Sequence, residues 1–188
     1  MAESISQDTI NQEWNEIKAA QSNPAHFRLL YNRYYESIFR FIMRRTADEM
    51  LSADLCSQVF LKAMENLHRY QFKGVPFSAW LFRIASNEVA QHFRNVQKSR
   101  VVSVEEHTLK EVEEELEEST WELDRQSLLH TLETLKEDDM QLIELRFFEQ
   151  RPFKEIAAIL NITENNAKVK TYRILQRMKK KLKQSISR

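Results

Sequence analysis

The chain has 188 residues, with 28 Lys/Arg against 28 Asp/Glu, one Gly, three Pro and one Cys. So few breakers exclude a tight-turned sheet architecture, and a lone thiol excludes an internal disulfide or a multi-cysteine zinc site. No apolar run approaches the roughly 20 residues of a membrane span, and the polar start MAESISQDTINQEW is no signal peptide, so an all-α, cytoplasmic protein without membrane insertion is expected.

The zero net charge conceals a polar layout. Residues 1–98 carry 12 Lys/Arg and 10 Asp/Glu, residues 99–124 carry 2 and 10, and residues 125–188 carry 14 and 8. The net charges are thus +2, −8 and +6. An acidic segment thus separates two basic ones, and with the helical spacing described next, two helical domains, 1–98 and 125–188, joined by an acidic linker at 99–124 are expected.

In chain order, residues 9–20 predict a short amphipathic helix with Ile10, Trp14 and Ile17 at helical spacing. Residues 24–45 open with Pro at a first-turn position and place Phe27, Leu30, Tyr34, Ile38, Phe41 and Ile42 on one face. Residues 49–69 repeat the pattern with Leu51, Leu55, Val59, Phe60, Met64 and Leu67. After the only glycine comes FSAWLFRIASNEVAQHFR (77–94). Wound at about a hundred degrees per residue, it gathers Phe77, Leu81, Ile84, Ala85 and Val89 on one face, with Phe82 and Phe93 at the margin. The opposite stripe holds Trp80, Arg83, Asn87, Gln91 and Arg94. Either Trp80 belongs to the core margin, or this stripe lies against something flat and negatively charged.

From Val101 to Trp121 the chain is a glutamate-rich connector, including Glu111, Glu113, Glu114, Glu115, Glu117 and Glu118, for which a solvated spacer is the plain expectation. Leu128, Leu132 and Leu135 then form a stripe, and EDDMQLIELRFFEQ (137–150) opens with helix-start acids. A helix over about 152–160, a turn at Asn161-Ile162-Thr163 and a longer helix from Glu164 make a helix-turn-helix. Thr163 is the expected N-cap, and Asn161 accepts the left-handed turn position in place of glycine. Ile156, Ala157, Leu160, Ile162, Ala167 and Val169 are expected to hold the pair together.

Catalysis finds little support. One glycine cannot build a phosphate-cradling loop. The five histidines (His26, His68, His92, His107, His130) show no metal-ligand pairing, and Cys56 lies in an apolar helical stretch. No enzyme activity, cofactor or metal is expected. The helix after Thr163 differs, because Asn165, Asn166, Lys168, Lys170, Thr171 and Arg173 crowd its first half. These side chains reach base edges and phosphates when a helix N-terminus enters a major groove. Arg177, Lys179, Lys180, Lys181 and Lys183 suit backbone contact. A solvated basic tail is the alternative.

Three segments carry a family resemblance. DLCSQVFLKA (54–63) resembles the D-L-x-Q-E-x-F-L-x-A helix by which RNA polymerase sigma factors of the extracytoplasmic-function (ECF) group bind the polymerase. FSAWLFRIASNEVAQHFR is similar to their F-S-x-W-L-[FY]-x-I-A-x-N signature, and residues 142–182 resemble their C-terminal helix-turn-helix. The resemblance implies that core RNA polymerase docks on Asp54, Leu55, Gln58, Phe60 and Lys62. It implies that Lys73, Gly74, Trp80, Arg83, Asn87, Gln91 and Arg94 recognise and melt the minus-ten promoter element. The loop from Gln71 to Pro76 would then form the wall of a base pocket. Thr163, Asn165, Asn166, Lys168, Lys170, Thr171, Arg173 and Arg177 would read the minus-thirty-five element as duplex, and an anti-sigma factor would cover both domains. The resemblance favours a linker threaded through the polymerase channel, with an inert spacer and an acidic mask over the basic recognition helix as the alternatives. Two departures stand out: the family's Gln-Glu is Ser57-Gln58 here, and its Gly-Thr-Val is Asn165-Asn166-Ala167. A stand-alone dimeric helix-turn-helix regulator, with the N-terminal bundle sensing or dimerising, is the competing assignment.

Overall fold

The computed structural model of the protein describes residues 7–96, 109, 111–112 and 125–186. Helix α1 (Gln7–Ser22) is followed by a 3-10 turn, Pro24–His26, whose Asn23 side chain accepts from the Ala25 amide at 3.0 Å. Helix α2 (Phe27–Thr46) buries Leu30, Ile38, Phe41 and Ile42, as its spacing demands. It ends where Ala47 turns left-handed (φ 50°) and its N–H reaches the Met43 carbonyl. Asp48 then caps helix α3 (Glu49–Asn66) by accepting from the Leu51 amide at 3.0 Å. Leu55, Val59, Phe60 and Ala63 of α3 are buried, whereas Met64, expected inside, is exposed. Cys56 is also buried, and burial pushes its thiol up to about 12, far from thiolate chemistry.

A 3-10 turn, Leu67–Arg69, and a short loop lead into helix α4 (Phe77–Val96). Phe77, Leu81, Ala85 and Val89 are buried as predicted, and Phe82, expected at the margin, is wholly inside.

The C-terminal part holds α5 (Arg125–Glu133) and α6 (Glu137–Ile143). A π-helical turn, Glu144–Phe148, continues α6, with the Glu149 amide bonded to the Glu144 carbonyl five residues back. The helix-start acids expected at the head of 137–150 do open α6, and the inserted residue of the π turn then shifts the register. Glu144, Leu145 and Phe147 are thereby buried together. Helices α7 (Phe153–Leu160) and α8 (Glu164–Ile186) complete the chain, with Leu128, Leu132, Ile156, Ala167, Ile174 and Met178 in the shared core.

The two parts touch. Helix α4 packs against α7, and the Arg151 guanidinium lies 4.5 Å over the Phe82 ring and 3.3 Å from Ser78 Oγ. Arg44 pairs with Glu149. Arg45, 1% exposed, pairs with Glu137 and, at 3.3 Å, with Glu144. Of the linker, Leu109 and Val112 are buried and Gln150 donates to Glu111 at 2.7 Å. This corrects the expectation of a wholly solvated connector. The rest of the glutamate run, and with it the threaded path, lies outside the described residues.

Candidate nucleic-acid interface

The apolar face of α4 turns into the bundle, so its opposite stripe turns outward, and α3 and the 70–76 loop flank it. With the 67–69 turn and Ala158 from the C-terminal part, they border a cavity of about 540 Å³ lined by Lys62, Arg69, Tyr70, Lys73, Trp80, Arg83 and Asn87, with Asn66, Gln71 and Glu88 among the polar walls. Four of the predicted minus-ten residues, Lys73, Trp80, Arg83 and Asn87, thus share one wall system. Gln91 and Arg94 are exposed farther along the same stripe, beyond the cavity. Gly74 holds φ +70° at the loop tip, a conformation side chains resist.

Trp80 sits at the core margin and also borders the cavity. Its ring is half-buried, 4.9 Å from the Tyr70 centroid and 5.3 Å from that of Phe77, while its free edge lines the cavity. Burial, with a smaller push from the nearby Glu13, raises the Tyr70 hydroxyl to about 12. Four cations and two aromatic rings face one volume, a set suited to phosphate and to the flat face of an unstacked base.

The predicted docking helix divides. Asp54 and Gln58 are exposed on α3. Leu55 and Phe60 are buried and do not belong to a free surface, because their spacing is that of the core face. Lys62 pairs with Glu88 at 2.6 Å and lines the cavity. The exposed stripe gains instead Met50, 82% exposed, Leu61 and Met64.

In the helix-turn-helix, Asn161 is left-handed at φ 56° and Thr163 Oγ1 accepts from the Asn166 amide at 3.2 Å, so turn and cap follow the prediction. Asn165, Asn166, Lys168, Lys170, Arg173 and Arg177 are exposed. Lys168 pairs with Glu164 at 3.0 Å and Arg177 with Asp139 at 2.7 Å. Thr171 is a correction: it is buried and its hydroxyl donates to the Ala167 carbonyl at 2.9 Å, so it is closed to DNA. Val169, expected to help hold the helix pair, is exposed. Sequence reasoning missed Tyr172, 64% exposed, and Gln176, which border a shallow groove with Lys170, Arg173 and Arg177. Their signal was helical spacing: Tyr172 is i+4 from Lys168 and i+3 from Val169, and Gln176 is i+4 from Tyr172.

Among the described residues no helix is long and apolar enough to cross a membrane. The sigma-70 region 2 pattern matches residues 30–99, and the sigma-70 region 4 pattern matches residues 125–178. The ECF RNA polymerase sigma factor BldN of Streptomyces coelicolor is 30% identical over 163 residues, which span 85% of this chain and 62% of that protein. The ECF RNA polymerase sigma factor SigM of Bacillus subtilis is 26% identical over 80% of this chain and 91% of its own length. Among solved structures, CnrH in complex with the cytosolic domain of CnrY superposes with a TM-score of 0.61 at 19% identity, covering 93% of this chain and 97% of that one. The Bartonella quintana sigma factor RpoE, in complex with the anti-sigma factor NepR, gives 0.55 at 22% identity, over 84% and 96% of the two chains. With region 2 carrying the cavity and region 4 carrying the helix-turn-helix, the chain belongs to the RNA polymerase sigma factors of the ECF group.

Proposed function

We propose that the chain binds core RNA polymerase and directs it to promoters, with residues 1–98 and 125–188 as its two working domains and 99–124 as their connector. The observation that carries this reading is the cavity on α4. It combines Trp80 and Tyr70 with Lys62, Arg69, Lys73 and Arg83 around a volume large enough for a flipped base. The phosphates of the captured strand would run along Gln91 and Arg94. Helix α8 supplies the duplex-reading surface through Asn165, Asn166, Lys170 and Arg173, with Arg177 and the lysines beyond it on the backbone. Asp54 and Gln58, with the apolar stripe beside them, form the docking face for the polymerase. The sigma factor does no chemistry on substrate and works where the polymerase works, in the cytoplasm. An anti-sigma factor is the expected partner in the inactive state, in line with the complexed state of the superposed structures.

Initiation in a purified system tests this. Core polymerase given the full chain should start transcripts at a promoter it otherwise ignores. A tight, specific footprint by the chain alone, as a dimer on spaced half-sites and with no effect on core polymerase, would establish a stand-alone regulator instead.

A further inference from the structure

Helix α1 precedes the residues matched to region 2, yet one face of it holds the loop and the helix start on which the cavity is built. Glu13 is 5% exposed. Its carboxylate accepts the Tyr34 hydroxyl and, at 2.8 Å, the backbone N–H of Phe77, and Arg33 stands 3.9 Å away. Phe77 is the first residue of α4, where the opening amides have no partner within the helix. The residue just before it is Pro76, which has no side-chain acceptor. A carboxylate from α1 therefore takes the capping role, and its charge meets the positive end of the helix dipole. On the same face, the Trp14 ring stacks on Phe72 at 5.7 Å and leans on Tyr70 at 6.2 Å. The Gln21 amide donates to the Leu67 carbonyl at 2.8 Å and to the Tyr70 carbonyl at 3.1 Å. Ile17, fully buried between them, anchors the helix. The non-helical stretch 70–76 is thus braced at its entry, its middle and its exit by α1.

We infer that α1 is a positioning element for strand opening, in which Glu13, Trp14 and Gln21 set the cavity wall and the start of α4 without contacting the strand. The inference rests on the assignment of the cavity to the minus-ten strand. Tyr70 links the two, since its ring touches both Trp14 and Trp80.

The test compares holoenzymes carrying the full wild-type chain, Glu13→Gln, Trp14→Ala and Trp14→Phe. Three quantities are measured: affinity for core polymerase, duplex promoter binding at a temperature where strands stay paired, and the rate at which minus-ten thymines become permanganate-reactive on warming. Glu13→Gln and Trp14→Ala should slow opening about tenfold, the size of one lost capping or packing contact, while the first two quantities stay within about twofold. Trp14→Phe, which keeps a ring on Phe72, should restore most of the rate. If α1 serves only folding, all three quantities fall together in proportion to the folded fraction, and that result overturns the inference. Wild-type opening rates in both impaired variants overturn it too. Should the wild-type holoenzyme itself fail to open the promoter, the cavity assignment falls first and this inference with it.

Discussion

Thr171 and Arg173 show how far two neighbouring residues on one helix can differ in fate. Thr171 faces the core and satisfies its hydroxyl on the preceding turn, whereas Arg173 is free at the surface. Arg173→Ala should therefore weaken minus-thirty-five binding by about 1–3 kcal/mol if a bidentate base contact is lost, and Thr171→Ser should leave it nearly unchanged; a competition gel-shift with holoenzyme compares the two directly. Trp80→Ala should leave closed-complex binding intact but impair opening, read again by permanganate. Normal opening with only a lowered melting temperature would make Trp80 a core residue. A different residue-level consequence concerns Glu149 and Glu155. Burial raises the pKa of both against the opposing pull of Arg44 and Arg151. The folded chain thus binds their protons more tightly than the unfolded chain does. Their favourable contribution is complete below the ordinary glutamate value of about 4.3 and is lost as pH rises through the raised values. Carboxyl resonances followed by NMR should titrate above the ordinary range at both positions, and Glu155→Gln should flatten the pH dependence of stability within that window.

Among the elements, α3 has two faces of different character. Its inner face carries Leu55, Val59 and Phe60 at core spacing, and Phe60 meets the rings of Phe27, Tyr31 and Tyr35. Its outer face carries Asp54, Gln58 and Leu61, with Met50 at the exposed start. Leu55→Ala should cost about 2–5 kcal/mol of stability, as buried leucines do. Gln58→Arg and Asp54→Arg should lower affinity for core polymerase while leaving the denaturation midpoint within the small range of surface substitutions. Unchanged polymerase affinity in both arginine variants would move the docking face elsewhere.

Across the whole molecule, the packing of α7 on α4 bears on the simultaneous use of the two proposed DNA surfaces. Ala158 of α7 lines the same cavity as Trp80. Two promoter elements centred about 25 base pairs apart, as their names state, are separated by roughly 85 Å of duplex at 3.4 Å per base pair. If α4 and α8 take the two elements as proposed, the contact opens before both are engaged. Arg45 is the residue on which that contact is most exposed to disruption, because its guanidinium is buried between Glu137 and Glu144 of the other part. Arg45→Ala removes the cation from the buried Glu144 and from the partly exposed Glu137, and breaking a buried pair costs about 3–5 kcal/mol. The expected outcome is a larger radius of gyration by solution scattering, with helicity retained. An unchanged radius would mean that apolar packing alone holds the closed form.

The all-α fold, the helix-turn-helix with its Asn161 turn and Thr163 cap, and the aromatic-cationic stripe of α4 were legible in the sequence, since each depends on residues within one or two turns of one another. Periodicity is a local property, and a single chain displays it without help. The π turn at 144–148 was not legible, because one extra residue leaves the hydrophobic pattern almost unchanged and only packing selects it. Nor was the inward side of Thr171, which hangs on where α8 meets its neighbours. Glu13 capping α4 from 64 residues away, Arg45 buried between two distant glutamates and Leu109 drawn into the core are contacts between remote parts of the chain. A charged side chain looks the same in a sequence whether it is solvated or buried; the tertiary structure decides, because only there does each charge meet the donor or counter-charge that makes its burial tolerable.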